Sequence, residues 1–161
     1  MVATFGWIEY EETEASTATP TNLNLGSTLA SNLVPVTYPI TAGTWSYEKW
    51  IKGYWSGTFN FISGLHFWMS VGVLATAETL QWTGVQTTYV TPTNEASTIT
   101  SVELTPTDTV PAINVTIGGT TSGSLSTSGF SDFIVLQASI GTGASAGATN
   151  TTTFTLQYDE V

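Results

Sequence analysis

The pentapeptide Gly143-Ala-Ser145-Ala-Gly147 has the spacing of a nucleophile elbow, in which a serine stands on a strained strand-to-helix turn. Such a serine needs a helix after it, and an acid and a histidine later in the chain. Here a Thr-rich strand pattern follows, and the single histidine, His66, lies upstream. The match is read as a coincidence within a Gly/Ser/Ala-rich loop. His66 sits in an apolar run beside Phe67 and Trp68, the setting of a structural histidine, and one histidine alone makes no ordinary transition-metal site. The chain has no cysteine, which removes thiol nucleophiles, disulfides and cysteine–zinc sites together. Gly141-Thr-Gly143 is followed by Gly147, one residue late for a dinucleotide fingerprint. Paired carboxylates could hydrolyse glycosides, yet the acids crowd at the ends: Glu9, Glu11, Glu12 and Glu14 near the start, Asp159 and Glu160 at the close. We expect no enzyme and no cofactor.

Binding chemistry is better represented. Five of the six tryptophans fall between Trp45 and Trp82. In Trp45-Ser-Tyr-Glu-Lys-Trp50-Ile-Lys-Gly-Tyr-Trp55 the aromatics occupy both parities, whereas a strand buried on one side would bury one parity only. Part of this set therefore belongs on a second face. That face could be core under a covered edge, a protein interface anchored by Trp and Tyr, or a platform stacking sugar rings. The interface candidates are Trp45, Tyr47, Trp50, Tyr54, Trp55 and Trp68. A glycan is the lesser alternative, because only Glu48 and Asn60 lie near in sequence to bond sugar hydroxyls. Lys49 and Lys52 are expected to pair with Glu48 or to cover an aromatic face rather than bind an anion. Side-by-side terminal strands would gather four to six carboxylates, a set calcium could relieve; the simpler reading is acids facing water at a strand edge. No metal site is expected. Asn114-Val-Thr116 and Asn150-Thr-Thr152 fit the glycosylation pattern, which means little without a secretory signal.

The elements that position these residues follow from composition. The 161 residues allow one domain, 1–161, long enough for a full core. Net charge is −10, from two basic and twelve acidic residues. With no basic footprint, binding to DNA or RNA is not expected. Charged residues are only 9% of the chain, while 32 are Thr and 16 are Ser. Long flexible charged residues are almost absent; Thr and aromatics suit strands, whereas Lys, Glu and Ala are the residues helices favour. The start has no basic, then apolar, signal-peptide pattern, and the longest apolar stretch, 64–75, is too short to span a bilayer as a helix.

Apolar residues alternate with period two, most clearly at Phe59, Phe61, Leu65, Phe67, Met69, Val71 and Val73, with a bulge or bend at Ser63-Gly64. Further strands are expected over 4–12, 33–40, 46–55, 78–83, 86–91, 98–104, 112–117, 132–140 and 152–159, and an extended loop over 15–32. About ten short strands with regular turn signals give an all-β fold. We read it as a single antiparallel β-sandwich, jelly-roll-like.

The Trp7-Ile-Glu-Tyr10-Glu start and the Phe154-Thr-Leu-Gln-Tyr158-Asp-Glu close carry a resemblance, as do Ser46-Tyr-Glu-Lys-Trp50 and Pro92-Thr-Asn94-Glu-Ala. In these the chain resembles the small, acidic, Thr/Gly-rich β-sandwich structural proteins of tailed viruses. The resemblance is one of style along most of the length, with no ligand motif, and no residue role carries over. It implies a virion structural protein, a capsid decoration or head or tail appendage subunit. Such a subunit would be assembled in the host cytoplasm and contact copies of itself and other virion proteins, with no nucleic acid or membrane. The alternatives are a carbohydrate-binding module using the 45–68 region and an adhesin-like subunit.

Overall fold

A computed structural model describes residues 2–93, 95–144 and 150–161. The described chain is all-β, with nine strands and no helix among the described residues. They are β1 (Val2–Glu11), β2 (Ser16–Ala18), β3 (Lys49–Thr58), β4 (Ile62–Val71), β5 (Glu78–Gln86), β6 (Val102–Glu103), β7 (Gly129–Phe130), β8 (Phe133–Ile140) and β9 (Thr153–Glu160). All pairings are antiparallel. The larger sheet runs β2-β1-β3-β8-β5-β6, with β7 also on β3, and the smaller is β4-β9. The two sheets pack face to face as a sandwich.

The core between the sheets follows the alternation. Ile51 and Trp55 of β3, Ile134 and Leu136 of β8, and Leu65, Phe67 and Met69 of β4 are all at most 1% exposed. Phe5 and Trp7 from β1 and Phe154, Leu156 and Tyr158 from β9 close around them. Gly53 is required here: a Cβ would stand 2.7 Å from the Trp55 ring. A second apolar cluster lies on the outer face of the large sheet, where Tyr10, Trp50, Phe133 and Val135 are covered by Tyr89 and Ile99. The two parities of the Trp45–Trp55 stretch thus serve two faces, Trp55 inside and Trp50 outside.

The bulge expected at Ser63-Gly64 is present, between the pairs Ser63↔Asp159 and His66↔Gln157. Gly64 has φ 62°, which favours glycine. The extra residue inverts parity, so Ile62 is buried before it and Leu65 after it, while Phe61 is 42% exposed. Val71 and Val73 run past the core and are exposed, against the expectation of continued alternation.

Four expected strands are revised. Residues 33–40 form a turn: Pro35 and Pro39 cannot donate to a ladder, and Thr37 N and Tyr38 N bond back to Val34 O. Residues 86–91 add no strand beyond the end of β5, and 98–104 contributes only β6. Residues 112–117 line the free edge of β4 without forming a strand. The Asn114 side chain stands in for one, accepting from Phe67 N and donating to Phe67 O, both at 2.8 Å. The loop expected over 15–32 is interrupted by β2 and continues irregularly to 48.

Candidate functional site

Burial sorts the aromatic candidates. Trp50 and Trp55 are 0% exposed and Trp68 is 8% exposed, so these three are core rather than interface. The Trp50 ring meets Tyr89 and Phe133 edge-on at 5.3 Å, and Trp55 meets Tyr158 at the same distance. Trp45 is half-buried and bridges to Ser139, and Tyr47 is half-buried with its hydroxyl 3.4 Å from Thr93 O. Tyr54 is half-buried against Phe130, ring centroids 4.7 Å apart, and Phe130 is 44% exposed. The six candidates therefore form no common platform.

Neither lysine pairs with Glu48. Lys49 Nζ lies 2.5 Å from Glu9 Oε1, both side chains 3% exposed, and also donates to Ala30 O. Burial raises the Glu9 pKa, and the Lys49 charge opposes that rise. Lys52 covers aromatic faces as expected, 3.8 Å from the Phe133 centroid and 5.7 Å from that of Tyr10. Burial lowers its pKa, against the attraction of Glu14 and Asp132. Glu48 is buried and accepts from Thr98 N, Thr98 Oγ1, Ser97 Oγ and Trp50 Nε1. Buried Asp132 accepts from Thr116 Oγ1 and Gly119 N. The buried acids thus fasten the structure and present no open reactive group.

The terminal strands do not pair. β1 lies in the large sheet and β9 in the small one, facing across the core, with Phe5 6.0 Å from Tyr158. Ala3 N donates to Glu160 Oε1 at 2.7 Å, which places Glu160 near the start of β1. Glu11 lies eight residues further along, about 26 Å at strand rise. The two acid groups are held apart, and among the described residues no cluster of three or more His, Asp or Glu could hold a metal. His66 Nδ1 is bonded to Pro111 O at 2.7 Å. The Ser145 elbow lies outside the described residues.

What the molecule exposes is apolar and acidic. Val36 is 86% exposed, Val2 79%, Val73 69% and Val71 64%. With Lys49 buried and Lys52 held on Phe133, no lysine among the described residues is freely exposed. The non-buried carboxylates Glu12, Glu103 and Glu160 form no ion pair with a lysine. A cavity of about 1060 Å³ also opens at the end of the sandwich where 22–42 meets β5, β8 and β9. Sequence reading overlooked Val34, Val36 and Tyr38 as surface residues. The signal was available: valines interleaved with Pro35 and Pro39 cannot extend a paired strand.

Comparison with protein-family models, with curated proteins and with solved structures finds no match to this chain.

Proposed function

We propose that this chain is a structural subunit of a larger assembly. Its class is the outer capsid decoration or head or tail appendage of the tailed-virus proteins it resembles, acting through repeated protein–protein contacts. The observation that carries the reading is the surface. An independent domain keeps apart from its copies with mixed charges on about 25–35% of its surface residues. This one exposes valines, hydroxyls and acids with no free lysine among the described residues. Apolar area removed from water contributes about 25 cal/mol per Å², partly offset by ordering, and repetition adds avidity to weak contacts. A surface whose exposed charges are acidic favours a place away from packaged nucleic acid and beside neighbours offering cations or apolar patches. The sugar-binding alternative loses support, since Trp50, Trp55 and Trp68 are spent on packing.

Light scattering on the purified chain, with immunogold labelling of particles, tests the proposal. Oligomers or particle-bound label are expected. A stable 17 kDa monomer that binds a glycan saturably and labels no particle would overturn it.

A further inference from the structure

We infer that the cavity at the flap end of the sandwich is a binding site for a small amphiphile with an apolar body and an uncharged or cationic head. The inference goes beyond the assembly role and does not depend on it. The two-stranded β4-β9 sheet leaves one end of the larger sheet uncovered. There the chain between β2 and β3 folds over as a flap, and the space left between flap and sheets is about 1060 Å³, at the upper end of the range for ligand sites. Leu23, Leu25 and Ile40 of the flap face Leu80, Ile140 and Phe154 of the strands across it. All but Leu80 stay only half-buried, although they stand inside the sandwich.

The walls are braced. Ser27 N donates to Tyr38 O at 3.2 Å and Tyr47 N to Gly26 O at 2.9 Å, tying the flap to itself and to the approach to β3. Asn24 Nδ2 donates to Leu33 O and Asn150 Nδ2 to Val73 O, so these lining amides hold the frame. The described walls are thus tied in place, and their interior combines the apolar side chains with the hydroxyls of Thr76, Thr151, Thr152 and Thr153.

Charge selects the head group. Among the described lining residues Glu78 is the one ionisable acid or base apart from the Tyr38 phenol, and its Oε2 also accepts from Ala75 N. No cation is among the described residues that line the cavity. A carboxylate, sulfate or phosphate would find no counter-charge there, whereas an ammonium or hydroxyl could bond the Glu78 carboxylate. Val36 and Tyr38, both solvent-exposed, are also part of the lining.

The experiment uses the full chain and the neutral fluorophore N-phenyl-1-naphthylamine, followed by displacement with decylamine, decanol and decanoate. Saturable emission at one equivalent per chain is expected. Decylamine and decanol should displace the probe, with decanoate roughly tenfold weaker, the scale of one like-charge contact. Ile140→Trp and Leu25→Trp, filling the cavity from opposite walls, should each weaken probe binding at least tenfold; two variants guard against one failing to fold. Glu78→Gln should bring decanoate close to decanol. Absence of saturable binding, binding unchanged in a folded Trp variant, or decanoate equal to decanol on the unaltered chain would each overturn the inference. None of these results bears on oligomeric state, so the assembly reading stands or falls separately.

Discussion

The strand-built and loop-built halves of this molecule are held by different forces. Where β3, β8, β5, β4 and β9 pack, contacts are apolar side chains and ladder bonds. Where the chain runs irregularly, over 19–48, 87–93 and 95–101, buried or half-buried carboxylates do the fastening. Glu48 ties down Ser97 and Thr98, the Glu9–Lys49 pair reaches Ala30 O, and Glu11 Oε1 accepts from Ser31 N at 2.7 Å. An irregular segment has no ladder to satisfy its amides, and a buried acceptor with several lone pairs can replace one. Part of the acidity of this chain is thus structural. The surface inherits the remaining acids, while both lysines are drawn inward.

The comparison predicts that the strand-built half responds most to volume. Trp55→Ala removes a fully buried indole that touches Phe5 and Tyr158. The expected loss is about 3–5 kcal/mol, read from the urea midpoint. A loss under about 1 kcal/mol would mean that the sandwich core is not the main source of cohesion.

The loop-built half should respond to charge. Lys49→Met leaves Glu9 buried without its cation, at an expected cost of about 3 kcal/mol at neutral pH. Burial raises the Glu9 pKa, so the folded chain holds that proton more tightly than the unfolded chain does. Its contribution is fully present below the unfolded carboxylate pKa and is lost as pH rises through the folded value. Removing Lys49 raises that folded value further, so Lys49→Met should recover stability relative to the unaltered chain as pH falls from 7 towards 4. Replacing both partners, Glu9→Leu with Lys49→Met, should restore most of the loss, since a buried pair and an apolar pair of similar volume are often equivalent. Equal pH profiles for Lys49→Met and the unaltered chain would break the distinction between the halves.

These differences also explain what the sequence disclosed. Strand content, the Ser63-Gly64 bulge and the two-faced Trp45–Trp55 stretch were legible because period-two patterning records which side of a sheet is covered. Trp50 and Trp55 as core were not separable from interface, because parity says that a face is covered and not by what. Tyr89 and Ile99, which cover the Trp50 face, lie in stretches of the chain that carry no period. The pairing of Lys49 with Glu9 rather than Glu48 was equally hidden. Glu48 immediately precedes Lys49, the first residue of β3, and bonds Trp50, Ser97 and Thr98 instead, while Glu9 reaches Lys49 only through the β1–β3 register, Glu9↔Ile51. The cavity left no trace in the pattern, because it arises from the mismatch of a seven-stranded sheet against two strands.

A milder change sharpens the loop side. Glu48→Gln keeps shape but replaces one acceptor oxygen with a donor NH2, which then faces groups that already donate. The expected cost is about 1–3 kcal/mol. Hydrogen exchange should show faster exchange at Thr98 with the β3–β8 ladder unchanged. Uniform acceleration across both regions would show that Glu48 supports the sheet rather than the loop.

The smallest effect is expected at Lys52, where the halves meet. Its ammonium rests on the Phe133 ring at the outer face of the large sheet, and burial lowers its pKa despite Glu14 and Asp132. For a base with a lowered folded pKa, stability is present above the unfolded value and is lost as pH falls through the folded one. At neutral pH the charged form is therefore the one that costs. Its partial exposure discounts that cost, and the cation–π contact offsets more of it. Lys52→Met keeps the aliphatic cover on Phe133 and removes the charge. It should change stability by less than about 1 kcal/mol at pH 7, with any advantage over Lys52 shrinking as pH rises towards 10. A loss of about 2 kcal/mol or more in the thermal or urea midpoint would mean that the ammonium holds Glu14 and Asp132 in place, and that the outer aromatic cluster is fastened by charge like the loops rather than by packing like the sheets.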